Sequence, residues 1–380
     1  MTGRGTGDPI PARIEYDTAC PKGGWGQSAR PFTDTVRPDE DIDADETTMR
    51  MNAGLRLRVI AAVALLAAAC GGGQGGGALT VAVIPKGTSH AFWQSIHAGA
   101  EKAAQELGIT VVWRGPLRED DRESQVTEVE NAVARGVAGI ALAPLDETAL
   151  VGPVSSAMKR GIPVVIFDSG LKGDDYVSFV ATDNEKGGRL AGEHVVKLLN
   201  GKGRVVLLRY AEGHDSTSRR EQGFLSAFAD QPGIQVVSSN QYGGADVEGA
   251  YKKAEALLSA IKGPDGLPAV DAIFCPNESV SFAMLRVLQD NGWAGKIRFI
   301  GFDASPNLVA ALRAGQVDGL ILQDPVKMGY LGVKTLVSHI RGEKVERRID
   351  TGVRLITPEQ ADEPEARELL EPDLSRWLKQ

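Results

Sequence analysis

Residues 79–93, LTVAVIPKGTSHAFW, decide how the rest of the chain is interpreted. Residues 79–84 form an apolar run without polar alternation, which is typical of a strand that is covered on both faces. After a polar turn, the amphipathic stretch 91–107 predicts a helix. The unit is therefore a buried strand, a loop and a helix.

The same unit repeats along the chain. Further strands are predicted at 110–113, 139–142, 164–167, 204–208, 234–238 and 272–275. Helices are predicted between them at 123–135, 150–160, 187–199, 218–229, 247–261 and 279–291. Because crossovers between neighbouring parallel strands are right-handed, this order predicts an α/β fold with doubly wound, Rossmann-like parallel sheets.

Composition narrows the class of protein. Hydrophobic residues make up 42% of the 380 residues, and the net charge of −8 argues against a nucleic-acid surface. Of the three cysteines, Cys275 lies inside an apolar run and is expected to be a small core residue. We find no spacing that predicts a metal site or a cofactor-binding loop, so neither a metal nor a cofactor is expected.

Residues 49–69 resemble an export signal. A basic start with Arg56 and Arg58 precedes an apolar run of about 11 residues, which is too short to span a bilayer. Small residues precede Cys70, and a glycine-rich stretch follows it. This pattern predicts a lipoprotein in which Cys70 carries the lipid and residues 70–78 form a flexible tether.

The remaining residues divide into an extension and two lobes. Residues 1–48 are polar and lack periodicity, so they are either a mis-assigned start or a disordered extension. Without the leader, roughly 300 residues remain, enough for two domains. We expect an N-terminal lobe at 79–182 plus 324–351, and a C-terminal lobe with a tail at 183–323 plus 352–380.

Polar and aromatic residues follow the predicted strands. In doubly wound sheets, ligands bind outside the carboxyl ends of the strands. The segments that follow them here are 86–93, 143–146, 168–169, 216–220, 276–278, 301–303 and 323–324. Aromatic rings together with Asp, Asn, Arg and Gln suit a polyol, which has C–H faces to stack and hydroxyls that both donate and accept.

At these residues the chain resembles the sugar-binding family of type I periplasmic binding proteins, especially its ribose-binding members. The resemblance runs from about residue 79 to about residue 355. Its landmarks, in order, are Phe92-Trp93, the run 164–168 ending in Asp168, the segment 182–188, Arg220 to Phe224, Asn277-Glu278, the run 301–303 and the run 319–323.

The resemblance implies roles for individual residues. Phe92 and Trp93 match the aromatic pair that sandwiches the sugar, and Asp168 matches an aspartate that accepts sugar hydroxyls. The other implied ligand-binding positions are Lys86, His90, Ser169, Ser218, Arg220, Asn277, Asp303 and Gln323.

The sequence also departs from the ribose-binding pattern. Ser169 stands where those members have an arginine, and Ser218 aligns with their second ligand arginine, although Arg219 and Arg220 are adjacent. Lys86 and His90 together suggest a hypothesis: the sugar is acidic or phosphorylated.

Several residues have a structural alternative. Asp183, Asp324 and Glu278 are expected to be helix caps or turn residues rather than ligands. Phe92 either packs in the core or contacts the ligand. Arg220 either holds its lobe together through a carboxylate or contacts the ligand. Residues 359–380 predict a tail helix packed on one lobe.

The resemblance implies a monomeric receptor outside the cytoplasm that closes on a sugar or polyol and delivers it to an ABC-type permease. Its lobes are expected to be joined by three crossovers, near Thr182, Gln323 and Thr351. Alternatives are a receptor for a chemotaxis or sensor-kinase protein, a glycoside-processing enzyme that uses Asp168 and Asp303, or the core of a LacI-like regulator.

Overall fold

The computed structural model describes residues 78–264 and 266–378. These residues form two six-stranded sheets, each at the centre of one lobe. The extension, the export signal and Cys70 lie outside the described residues. The prediction of two doubly wound parallel sheets is confirmed, with one exception in the second sheet, where the last strand is antiparallel.

The first sheet has the strand order β11-β5-β4-β3-β1-β2, and all its pairings are parallel. Its strands are β1 (Thr80–Ile84), β2 (Thr110–Trp113), β3 (Gly139–Leu142), β4 (Val164–Phe167), β5 (Ser178–Ala181) and β11 (Arg348–Asp350). The helices of this lobe are α1 (Ala91–Leu107), α2 (Arg122–Ala134), α3 (Val151–Lys159) and α9 (Pro325–Ile340).

The second sheet has the strand order β12-β10-β9-β8-β6-β7. Its strands are β6 (Gly203–Arg209), β7 (Ile234–Tyr242), β8 (Ala272–Phe274), β9 (Arg298–Phe302), β10 (Gly319–Leu322) and β12 (Arg354–Ile356). The helices of this lobe are α4 (Asn184–Leu198), α5 (Asp215–Ser226), α6 (Val247–Ala260), α7 (Glu278–Asp290), α8 (Pro306–Arg313) and α10 (Pro364–Leu370).

Strand β1 shows why these runs are apolar throughout. Val81 and Val83 belong to the core beneath α1 and α9, whereas Ala82 and Ile84 belong to the core beneath α2 and α3. Because successive side chains of a strand point to opposite faces, a strand covered by helices on both sides buries every residue.

Most predicted boundaries agree with the structure within three residues. Helix α1 and strands β2, β3 and β4 have the predicted bounds, and Gly108 ends α1 with a φ of 66°. Strand β5, with the sequence SFVA, was not among the predicted strands. Helices α4 and α5 each begin three residues earlier than predicted, and Asp183 caps the first of them.

The chain passes between the lobes three times. It leaves the first sheet after β5, returns between β10 and α9, and leaves again between β11 and β12. The hydroxyls of Thr182 and Thr351, on two of these crossovers, lie 3.3 Å apart. The three crossovers form the predicted hinge.

The C-terminal residues do not form one long helix. A 3₁₀ turn at Pro358–Gln360 precedes the short helix α10, whose Ala366 and Leu370 are buried in the core of the second lobe. Beyond it, the ring of Trp377 lies 5.9 Å from the ammonium of Lys102 on α1, in the first lobe. The prediction of packing on one lobe is corrected, because the tail contacts both.

Within residues 78–264 and 266–378, no helix is both long enough and apolar enough to cross a membrane. Within the same residues, no cluster of His, Cys, Asp or Glu side chains is arranged to hold a metal ion. Cys275 is fully buried, as predicted for a core residue, and burial raises the pKa of its thiol.

Candidate functional site

Two aspartates occupy matching positions in the two lobes. Asp168 follows Phe167 at the end of β4, and Asp303 follows Phe302 at the end of β9. Both have positive φ, 61° and 67°, a conformation that costs a residue other than glycine about 1–2 kcal/mol. Each backbone N–H donates to the neighbouring strand, Asp168 to the carbonyl of Val180 and Asp303 to that of Ile321. At the end of each strand, a strained backbone therefore holds a carboxylate toward the space between the lobes.

That space is a cavity of about 30 Å³ in the closed cleft. Its lining comes from both lobes: Lys86, His90, Phe92, Trp93, Glu119, Asp168, Tyr210, Ser216, Thr217, Arg220, Asn277, Glu278, Asp303 and Gln323. The cavity brings together every predicted site residue except Ser169 and Ser218.

Ser169 and Ser218 do not line the cavity, and their role in binding stays a prediction. Ser169 is buried beside the cavity, where its hydroxyl accepts from the backbone N–H of Ser216 at 3.1 Å. Ser218 lies one position away from the inward face of α5, which carries Thr217 and Arg220 instead.

Arg220 reaches the cavity because α4 and α5 pack unusually close. A Cβ on Gly188 would lie 1.8 Å from the carbonyl oxygen of Arg220, so only glycine permits this approach. The guanidinium donates to Asn184 Oδ1 at 2.7 Å and to the carbonyl of Pro276 at 3.0 Å. It therefore holds its own lobe together and also lines the cavity, while its contact with a ligand stays a prediction.

Each cation of the cavity has a carboxylate beside it. Lys86 Nζ lies 2.8 Å from Asp168 Oδ2, and Arg220 lies 3.9 Å from Asp303 Oδ2. His90 Nδ1 lies 3.0 Å from Glu119 Oε1. Burial alone would lower the pKa of His90, but the hydrogen bond and charge of Glu119 raise it to about 9. The imidazole is therefore charged at neutral pH.

The aromatic pair is both core and lining. Phe92 and Trp93 meet edge to face with ring centroids 5.0 Å apart, and both pack in the core of the first lobe. Trp93 Nε1 donates to Glu119 Oε1 at 2.5 Å, which fixes the orientation of the indole. Phe92 therefore packs in the core and also lines the cavity.

Gln323 and Asn277 differ in how fully their polar atoms are paired. Gln323 Nε2 donates to Asp303 Oδ1 at 2.8 Å, while its Oε1 is buried without a hydrogen-bond partner among the described residues. Such an acceptor costs about 1–3 kcal/mol unless a donor reaches it. Asn277 caps α7 by accepting from the N–H of Val280 at 3.4 Å and donates to Ser279 Oγ at 3.1 Å.

The cap predictions have mixed outcomes. Asp183 and Asp324 accept from the N–H groups of Lys186 and Lys327, so both are helix caps as predicted. The prediction for Glu278 is wrong, because Asn277 caps that helix. The carboxylate of Glu278 instead accepts from the N–H of Phe92 at 3.1 Å and of Ala91 at 3.4 Å, at the start of α1 in the other lobe.

Sequence reasoning missed Glu119 and Tyr210. Glu119 lies in the loop after β2, and Tyr210 directly follows β6. Both positions satisfy the rule that ligands bind after the carboxyl ends of strands, but the predicted segments include none after β2, and the one after β6 begins only at residue 216. Applying the rule to every strand, and from the first residue after it, would have found them.

Two lobes with a polar and aromatic cleft at their strand ends define a ligand-binding protein of the hinged, two-lobed class. The chain belongs to the periplasmic binding protein domain family, whose model matches residues 81–344.

Named relatives agree with this assignment. The chain is 29% identical over 278 residues to the ribose import binding protein of Haemophilus influenzae, which covers 73% of this chain and 91% of that protein. It is 29% identical over 272 residues to the D-allose-binding periplasmic protein of Escherichia coli, covering 70% and 85% of the two chains.

Solved structures show the same likeness. An ABC transporter solute binding protein from Agrobacterium vitis with bound D-fucose is 34% identical, with a TM-score of 0.73 and coverage of 77% of this chain and 99% of that one. A carbohydrate transporter solute binding protein from Agrobacterium radiobacter, in complex with D-arabinose, is 32% identical with the same TM-score and coverage.

Proposed function

We propose that this protein is a receptor outside the cytoplasm that captures a monosaccharide by closing its lobes and delivers it to an ABC-type permease. One observation carries the proposal: a single cavity collects aromatic rings, four carboxylates and an unpaired amide oxygen from both lobes. A sugar stacks on aromatic rings and offers hydroxyls to carboxylates and amides. The sugar-import relatives support the same conclusion.

Closure follows from the division of the site. Asp168, Phe92 and Trp93 come from the first lobe, and Arg220, Asn277 and Asp303 come from the second. Only the closed form lets both sets contact one ligand, so the ligand favours closure through its differential affinity. A cavity of about 30 Å³ has room for only a few waters, so a sugar enters while the lobes are apart.

The charges of the cavity favour a neutral sugar. The hypothesis of an acidic or phosphorylated ligand rested on Lys86 and His90. Both cations already lie beside carboxylates, Asp168 and Glu119, and Arg220 lies near Asp303. Glu278 adds a further carboxylate, so an anionic ligand would enter a site whose positive charges are already balanced.

The proposed receptor is periplasmic and monomeric. It carries a lipid anchor at Cys70 after removal of residues 49–69, and it has the lobe boundaries that the sequence predicts. A lipid and a glycine-rich tether would hold the receptor near its permease and raise its local concentration there.

A thermal-shift screen tests the proposed function. The full chain is unfolded, dialysed free of sugar, refolded and mixed with D-ribose, D-allose, D-arabinose, D-fucose, polyols and the corresponding sugar acids. A ligand at 100 times its dissociation constant stabilises by about 2.7 kcal/mol. We expect at least one neutral sugar to shift the midpoint. A midpoint shift with sugar acids alone would overturn the proposal of a neutral sugar. No shift with any compound of the panel would overturn the proposal that the ligand is a sugar.

A further inference from the structure

The loop between β2 and α2 carries Glu119 into the cavity. The residue is 8% exposed, and both carboxylate oxygens are occupied. Oε1 accepts from Trp93 Nε1 at 2.5 Å and faces His90 Nδ1 at 3.0 Å, while Oε2 accepts from the hydroxyl of Tyr210 at 2.7 Å. Gly87 leaves room for this arrangement, since a Cβ there would lie 3.0 Å from Glu119 Cγ.

One of these three hydrogen bonds crosses the cleft. Glu119 belongs to the first lobe and Tyr210 to the second, where the Tyr210 N–H donates to Glu221 Oε1 at 3.1 Å. The side chain of Tyr210 is 1% exposed, so the bond to Glu119 is shielded from water. A hydrogen bond to an ionised group in a buried site is stronger than one between neutral groups.

The protonation states of both groups suit this bond. Burial alone would raise the pKa of Glu119, but the hydrogen bond and charge of His90, with the charge of Lys86, hold it well below its usual range. Burial and the charge of Glu119 raise the pKa of Tyr210 well above its ordinary value. At neutral pH a carboxylate therefore accepts from a protonated hydroxyl.

We infer that Glu119 is a positioning residue of the sugar site. It orients Trp93 within the first lobe, and its hydrogen bond with Tyr210 stabilises the closed form of the cleft. This inference rests on the proposed function. In an open form, Glu119 and Tyr210 each bind water instead, so their bond contributes only to the closed state. It therefore slows the release of bound sugar.

Release kinetics test the inference. The probe is whichever of D-ribose, D-allose, D-arabinose and D-fucose binds the wild-type chain most tightly, followed by tryptophan fluorescence in a stopped-flow experiment. We expect Tyr210→Phe to raise the dissociation rate about tenfold to a hundredfold, and to leave the association rate within about twofold. The matched control is Tyr251→Phe, which loses a bond from its hydroxyl to Asp290 within the second lobe and should change neither rate.

Two further variants separate positioning from simple support of the fold. Glu119→Ala should weaken binding more than Tyr210→Phe, and adding Tyr210→Phe to it should have no further effect, because the two changes remove the same bond. Glu119→Gln should lower the pKa of His90 from about 9, as read from its imidazole NMR signals. The control Glu106→Gln, whose partner is Tyr330 outside the cavity, should leave that pKa unchanged.

A measurement without sugar keeps the inference testable if none of the four sugars binds. Hydrogen exchange of the peptide that covers residues 114–121 should be faster in Tyr210→Phe than in wild type, and unchanged in Tyr251→Phe. Equal exchange in wild type and Tyr210→Phe would overturn the inference whatever the ligand. If a sugar binds but its dissociation rate is the same in both, the inference fails while the proposed function stands.

Discussion

The ammonium of Lys86 lies 2.8 Å from the carboxylate of Asp168, and both side chains are 4% exposed. Lys86 also donates to Ser216 Oγ, in the second lobe, at 3.1 Å. A buried ion pair contributes little when intact, but removing one partner leaves a buried charge without compensation. Asp168 therefore has two roles, as a counter-ion in the empty protein and as the proposed acceptor for sugar hydroxyls.

The variant Asp168→Asn should weaken both folding and sugar binding. Asparagine tolerates the positive φ of this position, so the change isolates the loss of charge. We expect the free energy of unfolding to fall by about 3–5 kcal/mol, and sugar affinity to fall as well. Urea unfolding without sugar and calorimetry with sugar measure the two effects. Asp183→Asn, at a cap where asparagine serves equally well, is the control and should stay near wild type.

The variant Trp93→Phe should reduce sugar affinity by more than the loss of apolar surface alone would cause. It removes the Nε1 donor to Glu119 and leaves a buried carboxylate oxygen with one partner fewer. We expect about a tenfold loss of affinity, measured by calorimetry with the best sugar of the panel. Trp113→Phe is the matched control, because Trp113 stacks on His97 outside the cavity. An equal loss in both variants would contradict a specific role for Trp93.

The repeated strand and helix units and most residues of the cavity lining could be predicted from the sequence alone. Residues such as Asp168 and Asp303 are identified by position, because they directly follow fully apolar strands. The pairing of charges across the cavity could not be read in this way. Lys86 and Asp168 are separated by 82 positions, and their contact depends on the order of β1 and β4 in the sheet and on side-chain length.

The contacts between lobes were also beyond sequence reasoning. A glutamate directly after a cap position is usually part of the helix start, and Glu278 has that position. Its partners are the first N–H groups of α1, which belong to the other lobe. Periodicity describes one element at a time, so it contains no signal for a contact that forms only when two lobes close.

The tail should contribute to stability through Leu370. Leu370 is 4% exposed in the core of the second lobe, and the nearby Glu371 accepts two hydrogen bonds from Arg313. We expect Leu370→Ala to lower the free energy of unfolding by about 2–4 kcal/mol. Leu117→Ala is the control, because Leu117 is 69% exposed and should change stability by less than about 0.5 kcal/mol.

The proposed lipid anchor gives a cellular prediction. Cys70→Ser removes the thiol that would carry the lipid, so the protein should move from the membrane fraction to the soluble fraction. Immunoblots of the two fractions measure the change. Cys275→Ser removes a buried thiol outside the leader and serves as the control, with unchanged distribution expected. Membrane association that persists in Cys70→Ser would contradict the anchor.

The ion pair of His90 and Glu119 should make stability depend on pH in the alkaline range. The pKa of His90 rises from 6.5 to about 9 on folding, so the folded chain holds this proton more tightly than the unfolded chain. The resulting stabilisation, roughly 3 kcal/mol at most, is fully present below pH 6.5 and is lost as pH rises through 9. Glu278, whose pKa burial raises to about 7 against the opposing charge of His90, has mostly titrated before this window.

Urea unfolding without sugar between pH 7.5 and 9.5 measures the effect. The free energy of unfolding of wild type should fall across this range, and His90→Gln should remove most of the slope. His97→Gln is the matched control, because burial lowers the pKa of His97 and leaves it neutral throughout the window. It should keep the wild-type slope. Equal slopes in wild type and His90→Gln would show that the His90–Glu119 pair does not stabilise the folded chain through its charge.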